Sequence, residues 1–263
     1  EHIAVAKEVA EKAITLIKND GVLPLKREET KKLALIGKLA NTAIIGDHGS
    51  SWVRPPYVVT PEDGLKKANA ECEVIFDDGS DLERAKKLAA ESDAVVFVVG
   101  YNYDDEGEFI SGDQASNYTG AMGGDRKRSL GLHEDEIKLL QEVGPVNEKS
   151  AAVLVGGNMI MMTEWYDKVN AVIMAYYPGM EGGTALAEII YGDVNPSGKL
   201  PYVVPYSEDD LPHVDWEATD QYYEYYHGYT RLEKNGVKPL VPYGFGLSYT
   251  TFDITDPKAV VDG

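Results

Sequence analysis

Apolar positions recur with helical spacing near the start of the chain and form short unbroken runs further along it. Between Ile3 and Ile17 they return every three or four residues, with Glu and Lys on the other face, which predicts a helix over residues 3–18. Runs that are wholly or mostly apolar predict strands, and the run at residues 94–99, which is apolar throughout, predicts a strand with both faces covered. These strands are predicted at residues 33–37, 73–76, 94–99, 151–155 and 171–175.

Predicted helices alternate with these strands. They cover residues 61–70, a segment that ends near residue 90 after a cap at Ser80 or Asp81, residues 133–143 and residues 181–191. This alternation predicts an α/β fold, a mostly parallel sheet with helices on both faces. Beyond residue 195 the pattern gives way to Pro, Tyr and Gly, which predicts an irregular extension over the sheet. Without a clear linker or repeat, we expect one domain over residues 1–263, with residues 195–263 as its extension.

The charge of the chain excludes some classes of partner. Its 263 residues carry 25 Lys and Arg against 44 Asp and Glu, a net charge of −19. Such a chain repels phosphate backbones and anionic lipid, so we expect no nucleic-acid or membrane partner. Its apolar runs are too short for a bilayer span. A homo-oligomer is compatible with this composition.

Cellular location is not defined by this sequence. The first residues lack the basic-then-apolar form of a signal peptide, so any export signal would have to lie upstream. A secreted or periplasmic location is compatible with that expectation. Cys72 is the single cysteine, so it forms no internal disulfide and does not identify the compartment.

An acidic segment follows the apolar strand at residues 94–99. It contains Asp104, Asp105, Glu106 and Glu108, at the carboxyl end of a strand, where parallel sheets carry their functional loops. Crowded carboxylates resist ionising together, which raises the pKa of at least one of them. A carboxylic acid that is still protonated near neutral pH can act as a general acid. The alternative is a solvated acidic turn without a chemical role.

The same segment partly matches a calcium-binding loop. Asn102, Asp104, Glu106, Gly107 and Asp113 occupy positions 1, 3, 5, 6 and 12 of that pattern. The first position carries Asn instead of Asp, the last carries Asp instead of Glu, and the segment follows a strand where an EF-hand has a helix. Calcium binding is therefore an alternative to acid/base chemistry, and the preferred prediction includes no metal.

Other chemical motifs are incomplete. His133-Glu134 lacks the second His of a zinc-binding H-E-x-x-H motif. Residues 179–183, GMEGG, precede a helix and could cradle an anion, but the chain has neither G-x-G-x-x-G nor a P-loop. It also lacks the G-x-S-x-G motif of serine hydrolases. We therefore expect no cofactor.

Four blocks of specific sequence, spread over nearly the whole chain, carry a family resemblance. They read LIKNDGVLPL at residues 16–25, YPGMEGGTALA at 177–187, YGDVNPSGKLP at 191–201 and PYGFGLSYTTF at 242–252. In this order they resemble the second domain of glycoside hydrolase family 3. The resemblance implies a β-glucosidase-like enzyme, in which a (β/α)₈ barrel is followed by a six-stranded α/β/α sandwich.

The resemblance also implies roles for individual residues. In this family the barrel supplies a nucleophilic Asp, and the sandwich supplies the general acid/base Glu on a loop that reads E-G-x-D-R. Here Glu106-Gly107 and Asp125-Arg126 match that loop, separated by an insertion at about residues 108–124. Glu106 is therefore the implied acid/base for retaining hydrolysis of terminal β-D-glucosyl residues, with Glu108 as the fallback. Because no barrel is present in this chain, we expect the isolated chain to be inactive.

Two further segments resemble the family. In the loop at residues 46–61, Ser51 and Trp52 are candidate substrate-binding residues, and a Pro-rich connection without that role is the alternative. For the tyrosine run at residues 222–226 we expect a structural role, with alternate rings packed on the sheet. The competing function is a non-catalytic module that binds carbohydrate or calcium through the acidic segment.

Overall fold

A six-stranded sheet organises the part of the computed structural model that is described, residues 1–46, 52–107, 129–215, 218–253 and 255–260. Its strands are β1 (Thr15–Asn19), β2 (Lys32–Ile36), β3 (Glu73–Asp77), β4 (Ala94–Gly100), β5 (Ser150–Val155) and β6 (Ala171–Tyr176). They lie in the order β1-β6-β5-β4-β2-β3. Strand β1 is antiparallel to β6, and the other neighbouring pairs are parallel. The predicted mostly parallel sheet is confirmed.

Helices lie on both faces of the sheet, as the alternation predicts. They are α1 (His2–Ala13), α2 (Pro61–Ala68), α3 (Leu82–Ala90), α4 (Tyr103–Glu106), α5 (Glu134–Val143), α6 (Gly182–Ile190) and α7 (Gly228–Asn235), with 3-10 turns at Gly144–Val146, Tyr166–Lys168 and Glu208–Asp210. Within the described ranges, none of these helices has the length and apolar character needed to cross a membrane.

Two apolar core layers separate the sheet from its helices. Buried side chains of α1, α2 and α6 form one layer, and those of α3 and α5 form the other. Strand β4 contributes to both, since Val96 and Val98 point into the first layer while Val95, Phe97 and Val99 point into the second. All of β4 is therefore buried, as expected for a central strand covered on both faces.

The first predicted element was wrong in part. The helix predicted over residues 3–18 ends at Ala13, and β1 begins at Thr15. Ile14, Thr15 and Ile17 are β-branched, which favours extended backbone, and β1 gains hydrogen bonds by pairing with β6. Apolar spacing alone could not reveal this change, because Ile14 and Ile17 are buried and fit a helical repeat equally well. Strand β1 is thus the sixth strand that the resemblance implied.

The remaining predicted helices are confirmed, and their starts have physical causes. Asp81 caps α3, because its Oδ1 accepts hydrogen bonds of 3.0 Å from the amides of Glu83 and Arg84. Thr60 and Asp63 form a reciprocal capping box at the start of α2. Each cap is worth about 1 kcal/mol to its helix.

The segment after residue 195 is an irregular wrap, as predicted, with α7 and one 3-10 turn as its helices in the described ranges. It is tied to the sheet edge where the amide of Leu247 donates to the carbonyl of Leu16 at 2.8 Å. The prediction for the tyrosine run was wrong. Tyr222 and Tyr225 are 86% and 85% exposed, and no strand forms at residues 222–226, so these rings do not pack on the sheet.

Candidate active site

Three neighbouring strands end at the same edge of the sheet, and the segments that follow them meet at Glu106. Strand β4 leads into α4, which ends at Glu106. Gly156 and Gly157 follow β5, and Tyr177 follows β6. Because β4, β5 and β6 are adjacent and parallel, residues far apart in sequence come together here.

One carboxylate oxygen of Glu106 accepts two hydrogen bonds from these neighbours. The hydroxyl of Tyr177 donates to Oε1 at 2.7 Å, and the amide of Gly157 donates to the same atom. A Cβ atom at Gly157 would lie 3.3 Å from Oε1 and 3.1 Å from the Tyr177 ring, so glycine permits this close approach of the backbone. The Glu106 side chain is half-buried and held in a defined orientation.

The residue before Tyr177 has an uncommon backbone conformation. Tyr176 has a φ of +55°, in the left-handed region that residues other than glycine rarely adopt. It lies where the register between β5 and β6 shifts. Strained residues of this kind cluster at functional sites. Here the strain directly precedes the residue whose hydroxyl contacts Glu106.

Helix α4, which carries Glu106, has a single turn and a reciprocal cap. Oδ1 of Asn102 accepts from the amide of Asp104 at 2.8 Å, and Oδ2 of Asp105 accepts from the amide of Asn102 at 3.1 Å. Asn102 and Glu106 are thus engaged in contacts within the protein. In the described ranges no three His, Cys, Asp or Glu side chains are grouped to hold a metal ion.

The N-terminal end of α5 supports this loop from behind. Oε1 of Glu136 accepts from the amide of Gly100 at 3.0 Å, and the Tyr101 hydroxyl donates to the carbonyl of Gly131. Nε2 of His133 lies 3.1 Å from Oδ1 of Asp105. The segment from β4 to α4 is therefore attached to residues 131–136 at three points.

Electrostatics differ between these supporting residues. Burial raises the pKa of Glu136 to about 7, because its side chain is almost inaccessible and its Oε2 has no hydrogen-bond partner in the described part of the chain. The hydrogen bond to Asp105 raises the pKa of His133, with partial burial opposing the shift. The crowded carboxylates after β4 predict a raised carboxyl pKa within that acidic segment, and this stays a prediction. Glu136, whose pKa is raised, lies outside the segment and was not predicted from the sequence. Its position on the apolar face of α5 with Leu139 and Leu140 is the signal that could have identified it.

The loop before α2 packs on the segment that follows β6. The amide of Val59 donates to the carbonyl of Met180 at 2.8 Å, and the Tyr57 hydroxyl donates to Glu181. Trp52 is 38% exposed, and the Arg54 guanidinium lies 4.7 Å from the centre of its ring. This loop and Glu106 thus both contact the connection between β6 and α6.

The predicted anion cradle at residues 179–183 is filled by a side chain of its own segment. Glu181 is the N-cap residue of α6, and its carboxylate accepts from the hydroxyls of Tyr57 and Thr184. Its side chain is buried and occupies the helix N-terminus at which an anion would bind.

Some predicted residues lie outside the described ranges. They are Ser51, the fallback Glu108, Asp113 of the calcium alternative, the insertion at residues 108–124 and Asp125-Arg126. Their roles stay predictions.

Comparison with known proteins identifies the family. The model of the glycosyl hydrolase family 3 C-terminal domain matches residues 14–249. Probable β-glucosidase F of Aspergillus oryzae is 32% identical over 98% of this chain, and a β-xylosidase of Formosa agariphila is 33% identical over 98%. A family 3 β-glucosidase structure from Neurospora crassa superposes with a TM-score of 0.82, at 28% identity over 97% of the chain.

The chain spans about a third of the length of these proteins, namely 31%, 35% and 33%. The match covers most of this chain and agrees with the observed sheet and the four sequence blocks. The chain therefore belongs to glycoside hydrolase family 3, as the C-terminal α/β domain of its β-glucosidase-like enzymes.

Proposed function

We propose that this chain supplies the general acid/base, Glu106, for retaining hydrolysis of β-glucosides. The observation that carries the proposal is the pair of donors on Glu106 Oε1, which come from the ends of two neighbouring strands. A catalytic acid needs a fixed orientation, and the carboxyl ends of parallel strands are where α/β sheets bind their ligands. The family's E-G motif falls on the same residue.

In the proposed reaction Glu106 acts twice. It first protonates the glycosidic oxygen as an Asp nucleophile attacks the anomeric carbon, so the leaving group departs as an alcohol and a covalent glycosyl-enzyme forms. It then removes a proton from water, whose oxygen displaces the Asp. Retention requires the two carboxyl groups to lie about 5–5.5 Å apart.

The nucleophile is proposed to lie on a (β/α)₈ barrel domain outside this chain. Support comes from the length comparison, because the chain spans about a third of its relatives. We expect the isolated chain to lack glycosidase activity, since one carboxyl group cannot carry out both roles. Activity would require the barrel in the same polypeptide or as a separate piece.

Substitution of Glu106 tests the proposal when a barrel is present. Glu106→Gln should lower kcat/KM for an alkyl glucoside by about 10²- to 10⁴-fold, the usual contribution of general acid/base catalysis. The loss should be smaller for a dinitrophenyl glucoside, whose leaving group needs no proton. Azide should restore turnover by attacking the glycosyl-enzyme without a general base, and glucosyl azide should form.

Two further variants show whether the effect is specific to Glu106. Asp104→Asn changes an exposed carboxylate on the same helix and should leave the leaving-group dependence unchanged. Glu108→Gln examines the fallback residue. We call a loss that is larger for the alkyl glucoside than for the dinitrophenyl glucoside the leaving-group signature. Full activity in Glu106→Gln, together with this signature in Glu108→Gln, would assign the acid/base role to Glu108.

The proposed substrate class is a β-glucoside, with a β-xyloside as the alternative. The similar proteins bear both names, β-glucosidase and β-xylosidase. Nitrophenyl β-glucoside and β-xyloside, assayed side by side, would decide between them by their kcat/KM ratio.

A further inference from the structure

The His133 side chain contacts two parts of the loop that carries Glu106. Its Nε2 atom lies 3.1 Å from Oδ1 of Asp105, the residue directly before Glu106. Its ring also packs against Tyr101, with ring centres 4.9 Å apart. His133 is the N-cap residue of α5, whose buried face anchors that helix in the core. The contact therefore joins a one-turn helix to a firmly packed one.

Asp105 transmits this attachment to the start of α4. One of its oxygens faces His133, and the other accepts from the amide of Asn102. The same carboxylate thus fixes the first turn of α4 and links it to α5. A rotation of α4 would move Glu106 away from Tyr177 and Gly157.

We propose that His133 is a positioning residue for Glu106, acting through Asp105. The inference rests on the proposed acid/base role of Glu106 and adds a second residue to the same site. His133 does not contact the reacting atoms. It holds the helix that carries the acid in the orientation that the two donors on Glu106 require.

Several charged groups surround His133. Asp105 approaches from α4, Glu136 and Asp135 lie on its own helix, and Lys38 pairs with Asp135 from the segment after β2. The acidic groups favour a protonated ring, which donates from Nε2 to Asp105. A neutral ring loses that bond when its proton is on Nδ1, and with its proton on Nε2 it keeps the bond without the attraction between opposite charges. The contact between His133 and Asp105 should therefore weaken as pH rises through the pKa of His133.

Kinetics of matched variants test this role in the enzyme that contains the barrel. His133→Gln keeps an N–H donor at similar reach but cannot ionise, and His133→Leu removes the donor. His133→Leu should lower kcat/KM about tenfold for an alkyl glucoside and less for a dinitrophenyl glucoside, because misplacing a catalytic group by ~1 Å weakens proton transfer. His133→Gln should retain most of the activity and lose the pH dependence that His133 causes. Glu134→Gln, an exposed neighbour, is the control.

A second measurement examines the contact in this chain alone. NMR titration should show the pKa of His133 above that of an ordinary histidine, and Asp105→Asn should lower it. An equal loss of activity for both glucosides in His133→Leu would indicate general misfolding and overturn the inference. An unchanged His133 titration in Asp105→Asn would also overturn it.

The two proposals fail in different ways. A fully active Glu106→Gln enzyme would remove the acid/base role, whatever His133 does. A leaving-group signature in Glu106→Gln that is absent from His133→Leu would leave the acid/base role standing and remove the positioning role alone.

Discussion

At the scale of single residues, orientation distinguishes Glu106 from the other acids around it. Its Oε1 atom receives the Tyr177 hydroxyl and the Gly157 amide, while Asp104 is exposed and Asp105 serves the cap and the His133 contact. Asp104, Asp105 and Glu106 are adjacent in sequence but make different contacts. The acidic composition of the segment could not reveal which carboxyl group is held at the sheet edge.

Tyr177→Phe should impair the reaction without preventing folding. It removes one donor to Glu106 and keeps the ring, and a hydrogen bond contributes about 0.5–1.5 kcal/mol net. We expect kcat to fall by up to about tenfold, because each 1.4 kcal/mol in the barrier corresponds to that factor, with little change in KM. Steady-state kinetics with an alkyl glucoside measure the effect.

Tyr243→Phe provides a matched control, since this exposed ring stacks on Tyr229 within the C-terminal wrap. A normal kcat in Tyr177→Phe would show that the hydroxyl does not assist Glu106.

At the scale of elements, the loop before α2 is fastened to α6. Gly64 and Gly183 allow the two helices to meet, because a Cβ atom at Gly64 would lie 2.0 Å from the carbonyl oxygen of Gly183. Tyr57 and Glu181 then attach the loop that carries Trp52. Trp52 therefore lies on a loop that is attached to the core, and its contact with substrate stays a prediction.

Tyr57→Phe should therefore affect substrate binding more than chemistry. Loss of the hydroxyl leaves the buried Glu181 with one donor fewer and loosens the loop around Trp52. We expect KM for the glucoside to rise about threefold while kcat changes little, as removal of uniform binding predicts. The measurement is a Michaelis titration in the barrel-containing enzyme. A fall in kcat with constant KM would contradict a role for this loop in binding.

Most of the elements followed from the sequence, and the exceptions have definite causes. Strand β4 was predictable because every one of its residues is apolar, and α3 because Asp81 marks its start. Strand β1 was not, since its apolar residues also fit a helix and only pairing with β6 decides between the two. The contacts of Glu106 with Gly157 and Tyr177 were unpredictable because they join segments 51 and 71 residues away.

At the scale of the whole molecule, titration of one buried acid affects stability. The pKa of Glu136 is raised by burial from its ordinary value of 4.5 to about 7. Below pH 4.5 the folded and unfolded states are both protonated. As pH rises to about 7, only the folded state keeps the proton, so the free energy of unfolding falls. His133 acts in the same direction, since its raised pKa gives stability that is lost as its proton leaves.

Glu136→Gln should abolish much of this dependence. From about pH 4.5 to pH 7 the native chain should lose ~3 kcal/mol relative to the variant, because a tenfold change in proton affinity corresponds to about 1.4 kcal/mol. Urea unfolding of both chains at about pH 5 and pH 8 measures the difference. Glu134→Gln is the exposed control. Parallel pH curves for the native chain and Glu136→Gln would contradict the assignment.

The convergence of three strand ends on Glu106 also links catalysis to the order of folding. The acid, its amide donor and its hydroxyl donor come from successive parallel strands, whose long-range pairing forms slowly. No local segment of the chain can assemble this triplet in advance. In a barrel-containing enzyme, turnover would therefore report the completeness of this sheet.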